Sequence, residues 1–192
     1  MHMQVRKLTA KDIKQVSKMH QSYLDAGVIS HLGQEFLIEF YTCLLKQKST
    51  FTYVSISDGI VVGFVTGAIN LKLIPKLLFK NLWYPFILST LKNPKIVVQV
   101  IQMPFYPSFK QNKKIGEIFS LAVSSEYRKK GTGKSLIRTA EKKFKKMGYH
   151  NYQVSVRKKM ISANKFYKKI GLKKVRTEKF LGEKICFWEG VC

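Results

Sequence analysis

Residues 116–136 read "GEIFSLAVSSEYRKKGTGKSL". An apolar run over 115–123 predicts a strand, and "GTGKSLIRTAEKKFKKMG" (131–148) predicts a helix of good formers. That helix places Leu136, Ile137, Ala140, Phe144 and Met147 on one face and ends at Gly148. A glycine-bearing bend between strand and helix points unpaired backbone N–H groups at an anion, usually a phosphate. "GTGKS" (131–135) is also the tail of a triphosphate-binding loop, G-x-x-x-x-G-K-[ST]. That loop needs glycine at the position of Arg128, whose side chain would crowd the β-phosphate, and a downstream Asp to orient magnesium. No Asp follows Asp58. The match to a nucleotide triphosphatase is accidental.

Regular elements extend on both sides. "MQVRKLT" (3–9) alternates as a strand does, and Thr9 with Asp12 marks the start of a helix over about 10–24. That helix puts Ile13, Val16, Met19, His20 and Tyr23 on one face. A second helix, 34–47, carries Phe36, Leu37, Phe40, Tyr41, Leu44 and Leu45. "FTYVSIS" and "IVVGFVTGAIN" around Asp58-Gly59 read as a hairpin. After the long helix come the strand "YQVSVR", a short helix "ISANKFYKKIG", and a closing strand pair from "LKKVRTEKF" and "EKICFWEG". The elements predict one domain over 1–192, a mixed α/β (α+β) sheet with helices on its faces. Residues 71–113 break the rhythm: they hold all five prolines and no acidic residue, and read as a helical insertion after the third strand.

Composition narrows the class. The chain has 192 residues, 45% hydrophobic and 24% charged, within the range of globular proteins. Its 35 Lys and Arg against 11 Asp and Glu leave a net charge of +24, a field that attracts polyanions and phosphorylated small molecules. A lysine-rich background explains the same excess. Cys43, Cys186 and Cys192 show no metal-ligand or disulfide spacing, so neither a metal centre nor an oxidising compartment is expected. The start has no apolar signal stretch, and the most apolar run, 81–91, is too short to span a bilayer. A soluble, cytoplasmic protein is the expectation.

The segment 116–136 contains R-x-x-G-x-G at Arg128–Gly133, and "SANKFYKKIGL" (162–172) follows at a fixed distance. Together they resemble the two linked signatures of the GNAT superfamily of acetyl-coenzyme A-dependent N-acetyltransferases, covering about 115–190 strongly and the first 70 residues in element order. The resemblance implies that acetyl-CoA is a cosubstrate and that no metal is needed. It implies that the backbone from Arg128 through Lys129, Lys130, Gly131, Thr132, Gly133 and Lys134 holds a pyrophosphate, with charge from Arg128 and Lys134. The backbone of Leu121, Ala122 and Val123 would pair with the pantetheine arm. Tyr167 matches the family's general acid beside the sulfur, and Glu117 falls where some members carry a general base. The family often has a cofactor-binding Asn where this chain has Met160; Asn164, one helical turn on, is the substitute expected.

The acceptor is less legible. By the resemblance it lies near the first two helices, which makes Tyr23, His31 and Glu35 candidates. A small amine, an amino sugar or its nucleotide-linked form among them, fits a pocket covered by 71–113. A protein or peptide acceptor is the alternative. Lys72, Lys76 and Lys80 among apolar residues also read as a basic segment for an acidic membrane surface. Nucleic acid is an unfavoured partner because the charge is spread without a reading module. A homodimer is left open.

Overall fold

The computed structural model describes residues 3–24, 28–69, 86–87, 106–110 and 115–192. Seven strands form one sheet in the order β1-β2-β3-β4-β5-β7-β6. They are β1 (Gln4–Lys7), β2 (Thr50–Ser57), β3 (Ile60–Ala68), β4 (Gly116–Val123), β5 (Asn151–Arg157), β6 (Lys173–Phe180) and β7 (Glu183–Val191). Among the described residues four α-helices of two or more turns accompany them: α1 (Ile13–Tyr23), α2 (Gln34–Leu45), α3 (Thr132–Lys146) and α4 (Ile161–Lys169). The mixed α/β fold expected from the sequence is the one observed.

Local chemistry explains the boundaries. The Thr9 amide donates to Asp12 Oδ2 at 2.8 Å, and Arg6 grips both oxygens of the same carboxylate at 2.7 and 2.8 Å. This clamp starts the first helix, though its opening turn, Ala10–Asp12, is a 3₁₀ turn and the α-helix begins only at Ile13. The second helix closes at Leu45, two residues short of the expected end. Asp58 and Gly59 both take positive φ, 50° and 80°, which is the hairpin turn that suits the twist of β2 and β3.

Two apolar layers sandwich the sheet. One packs α1 and α2 against Val54, Val61, Phe64 and Ala122; Phe86, inside the 71–113 insertion, joins it. The other packs α3 and α4 against Val65, Ile118, Tyr152, Val154 and Val156. The expected inner face of α3 is buried at Leu136, Ile137, Ala140 and Phe144. Apart from 86–87 and 106–110, the 71–113 segment lies outside the described residues, and so does any helical or membrane-surface role for its lysines.

Every neighbouring pair of strands is antiparallel except β4 and β5. That parallel ladder is short: Gly116 faces Tyr152, Glu117 faces Gln153, and Ile118 faces Val154. It stops there, although β4 runs on to Val123 and β5 to Arg157. On its other edge, β4 pairs Ser120 with Thr66 and then Ile118 with Gly67, which leaves Phe119 as a bulge. The bulge bends β4 at the level where it parts from β5.

Candidate active site

Beyond Ile118 the β5-facing edge of β4, at Leu121, Ala122 and Val123, has no strand partner among the described residues. Such an edge offers peptide N–H and C=O groups to an extended ligand with amides of its own. At its far end the Val123 carbonyl accepts Arg128 Nε at 3.0 Å.

The chain then turns through Ser125–Tyr127, with the Ser124 amide donating to Val62 O at 2.9 Å. Lys129 and Gly131 take φ of 60° and 86°. Nothing lies within 4 Å of a Cβ built at Gly131, so glycine is needed there for the left-handed backbone, not for space. Helix α3 starts at Thr132, and its first internal bond comes from Ser135 N–H to Gly131 O. Among the described residues, no amide from Lys129 to Lys134 has a protein acceptor. These successive donors at a helix N-terminus form an anion nest.

The side chains around the nest divide by role. Lys129, Lys130 and Lys134 are exposed beside it. Thr132 is buried, its hydroxyl donating to Tyr127 O at 3.0 Å, so only its backbone can face a ligand. Gly133 has a packing reason as well: a Cβ there would meet the Phe166 ring of α4 at 3.1 Å. Tyr23, an acceptor candidate by sequence, sits instead against this loop. Arg128 lies over its ring at 5.3 Å, and hydrogen bonding by Ser124 lowers its hydroxyl's pKa.

Tyr167, next to Phe166, is buried against the α3/α4 layer. Burial raises its pKa above the ordinary tyrosine value, which keeps its proton in place. Its hydroxyl makes no hydrogen bond among the described residues.

On the opposite face, Glu117 is 4% exposed. Its Oε1 accepts Ser108 Oγ at 2.9 Å and its Oε2 accepts Gln153 Nε2 at 2.7 Å. Desolvation pushes its pKa up to about 7, against these two hydrogen bonds and the charge of Arg176. Arg176 lies 3.8 Å from the centre of the Phe187 ring and reaches Gln153 Oε1 at 3.4 Å. The Tyr106 hydroxyl stands 2.6 Å from Ser155 Oγ, and its ring meets Phe180 edge-on at 5.1 Å.

Asn164 is occupied internally. Its Nδ2 donates to Arg157 O and Met160 O at 3.0 and 2.9 Å, and its Oδ1 accepts Trp188 Nε1 at 2.9 Å. Those bonds pin α4 to the end of β5 and to β7, and use both amide hydrogens. His31, in the turn Val28–Leu32, and Glu35, in the first turn of α2, are exposed. No hydrogen bond or ion pair links either to Glu117 or Tyr167 among the described residues. The sequence reading missed Tyr106, Ser108, Gln153, Ser155 and Arg176. Gln153 and Ser155 carried a signal, being polar at alternate positions of the apolar strand "YQVSVR".

An anion nest, an open strand edge and two titratable groups on opposite faces of one strand split are features suited to an extended, anionic, amide-bearing ligand. The model of the acetyltransferase (GNAT) family matches residues 16–172, and the chain belongs to that family. It is an acetyl-CoA-dependent N-acetyltransferase. No curated protein matches the sequence. Among solved structures, a GNAT-family acetyltransferase from Streptococcus pneumoniae is similar in fold, with TM-score 0.63, 13% identity and 99% of each chain covered. The PaiA N-acetyltransferase of Thermoplasma acidophilum, solved with coenzyme A, aligns with TM-score 0.63 and 16% identity over 97% of this chain and 98% of that one. The ribosomal-protein-S18-alanine N-acetyltransferase of Escherichia coli aligns with TM-score 0.62 and 11% identity over 99% and 94%. Among the described residues no cluster of His, Cys, Asp or Glu is arranged to hold a metal, and no helix is long and apolar enough to cross a membrane.

Proposed function

We propose that the chain acetylates the primary amine of a small acceptor, an amino sugar being the leading class, with Glu117 as general base and Tyr167 as general acid. Acetyl-CoA, when bound, supplies the activated acyl group as a thioester. The backbone from Arg128 to Lys134 would hold its diphosphate, with Lys134 adding charge. Leu121, Ala122 and Val123 would hold its amide-bearing arm as an added strand.

One observation carries the acid and base assignments. Gln153 bonds Glu117 on one face of the β4–β5 pair, while Val154, Val156 and Tyr167 share the apolar layer on the other. An acyl group lying in the split therefore meets a base from one side and an acid from the other. Glu117, at about pH 7, is poised to take a proton from the amine. Tyr167, protonated throughout the physiological range, donates at the sulfur.

The preference for a small acceptor follows from the two described parts of the insertion. Phe86 packs onto the α1/α2 layer, and Tyr106 and Ser108 cover Glu117. Both favour a cover over the acceptor side rather than an open peptide groove or a membrane-lying segment. Release of free thiol from acetyl-CoA, monitored against amino sugars, polyamines, aminoglycosides and peptides, tests this; turnover confined to peptides overturns it. Tyr167→Phe should slow turnover at least tenfold while coenzyme A affinity, measured by calorimetry, stays within about twofold. Unchanged turnover removes Tyr167 as the acid.

A further inference from the structure

Residues paired across a ladder share one face of the sheet, and side chains alternate between faces along each strand. Glu117 pairs with Gln153, and Gln153 with Glu189, so the three stand in one row across β4, β5 and β7. β6 joins that row at Lys173, opposite Glu189. In regular register Val175 would then face Phe187. A bulge intervenes: Lys174 pairs with Trp188, and Arg176 pairs with Phe187. Val175 is left exposed, and Arg176 takes the place on the Glu117 face.

Three contacts aim the Arg176 guanidinium. It lies 3.8 Å from the centre of the Phe187 ring, its Nε donates to Glu178 Oε1 at 2.6 Å, and its Nη2 donates to Gln153 Oε1 at 3.4 Å. Gln153, 1% exposed, in turn donates from Nε2 to Glu117 Oε2 at 2.7 Å. We infer that Gln153 and Arg176 are positioning residues for the reaction: Arg176 fixes which end of the Gln153 amide faces the carboxylate, and Gln153 fixes the carboxylate of Glu117. The inference rests on Glu117 being the base.

An amide carries a donor at one end and an acceptor of nearly equal size at the other, so either end can face a neighbour. A guanidinium only donates. With Arg176 on one side, the Gln153 oxygen turns towards it and the NH₂ turns towards Glu117. A reversed amide would set oxygen against carboxylate oxygen, an arrangement that only a protonated Glu117 satisfies. Burial favours that neutral form; the Gln153 donor is the strongest influence against it, followed by Ser108 and the charge of Arg176. A base must be ionised to accept a proton, so the pair keeps Glu117 usable near neutrality. Among the described residues the other groups acting here are Tyr106, which faces Glu117 from the 106–110 segment, and Arg157, which acts on Tyr106. Glu178 on β6 and Glu189 on β7 stand behind Arg176 and Gln153.

The test compares full-length wild type, E117Q, Q153M, R176M and the Q153M/R176M double variant, with Q153L as a second replacement where methionine does not pack. Infrared spectroscopy on protein carrying ¹³C-labelled glutamate reads the Glu117 midpoint, its band identified by its loss in E117Q. Thiol release from acetyl-CoA is followed in parallel from pH 5.5 to 9 with glucosamine as the probe amine, whose own titration is common to every variant. Wild type should titrate near pH 7. Q153M and R176M should each move the midpoint up by about one pH unit. The double variant should fall short of the summed shifts by about half a unit or more, because Arg176 acts through an amide that is no longer there. Each single variant should lose about tenfold in kcat at pH 6.5, yet come within about threefold of wild type at pH 9, where Glu117 is ionised in all of them. KM for acetyl-CoA should stay within about twofold. Additive shifts would mean that Arg176 acts by charge alone, and they overturn its positioning role, as does an unmoved midpoint in Q153M. A loss of equal size at every pH marks a merely structural role and overturns the inference too. The infrared midpoints need no acceptor and decide the orientation of the amide by themselves. E117Q with wild-type turnover is a separate result, and overturns the base assignment itself.

Discussion

Glu117 is a carboxylate that folding makes harder to ionise, and that has a consequence apart from catalysis. Its pKa rises from 4.5 to about 7, so the folded state holds the proton more tightly than the unfolded chain does. For this group, stability is greatest below pH 4.5, falls as pH rises, and is fully reduced above about pH 7. The shift corresponds to about 3 kcal/mol, an order-of-magnitude figure for a buried group. Glu117→Gln keeps the shape and both hydrogen-bonding neighbours without the charge. It should therefore melt higher than wild type at pH 8.5 and within about 1 °C of it at pH 5. Thermal unfolding at the two pH values decides this; an equal difference at both would show that the carboxylate's charge is not what the fold opposes. Under the proposed role of Glu117 as general base, the same substitution should also abolish turnover near neutrality, a gain in stability at the expense of activity. Asp12 shows the opposite case. Held by Arg6, its pKa drops to about 2, and it stays ionised across the working range.

At the scale of elements, the two glycines of "GTG" serve the site for different reasons, and their substitutions should separate. Gly131→Ala forces a side chain into a left-handed backbone at φ 86°, at about 1 kcal/mol, and disturbs the nest. Its effect should be mainly on coenzyme A affinity, several-fold or more by calorimetry. Gly133→Ala leaves the dihedral tolerable but presses on Phe166 at 3.1 Å, and so on α4 and Tyr167. Its effect should be mainly on kcat. Equal losses of affinity for both would mean that Gly133 serves the phosphate and not the helix packing. This difference was not legible in the sequence, where both glycines read as room for phosphate. The strand-to-helix bend, α3 with its Gly148 stop and the Asp58-Gly59 hairpin were legible, because each rests on contacts within a few residues. The 3₁₀ opening of the first helix, the Phe119 bulge and the internal bonding of Asn164 were not. The bulge and the Asn164 bonds depend on partners distant in sequence, Thr66 and Gly67 opposite β4 and Trp188 on β7, while the 3₁₀ opening depends on Arg6, outside the helix, clamping Asp12. The cover over Glu117 was hidden for the same reason, since nothing in "FYPSF" (105–109) indicates that Ser108 will meet a strand of the sheet.

Across the whole molecule, a sheet held together by only three parallel residue pairs at its middle meets a charge of +24. The halves on either side of the split are well paired within themselves: β1 to β4 by one run of antiparallel ladders, β5 to β6 by another. A ligand that adds a strand between Leu121–Val123 and β5 would join them, and should stabilise the fold as a unit by about 2.7 kcal/mol at a hundred times its dissociation constant. Part of that affinity is electrostatic, because the nest is ringed by Arg128, Lys129, Lys130 and Lys134, all exposed. Exposed charges are screened as the Debye length falls from about 10 Å at 0.1 M salt to about 3 Å at 1 M, whereas backbone hydrogen bonds to phosphate and arm are affected much less. Coenzyme A should therefore raise the melting temperature at both ionic strengths, with a dissociation constant several-fold weaker at 1 M. Dephospho-coenzyme A, which keeps the diphosphate and arm but lacks the terminal phosphate, should bind with a shallower salt dependence. Thermal shift and calorimetry with the two ligands at two salt concentrations make the comparison. Identical salt slopes would show that the basic ring does not act on the terminal phosphate.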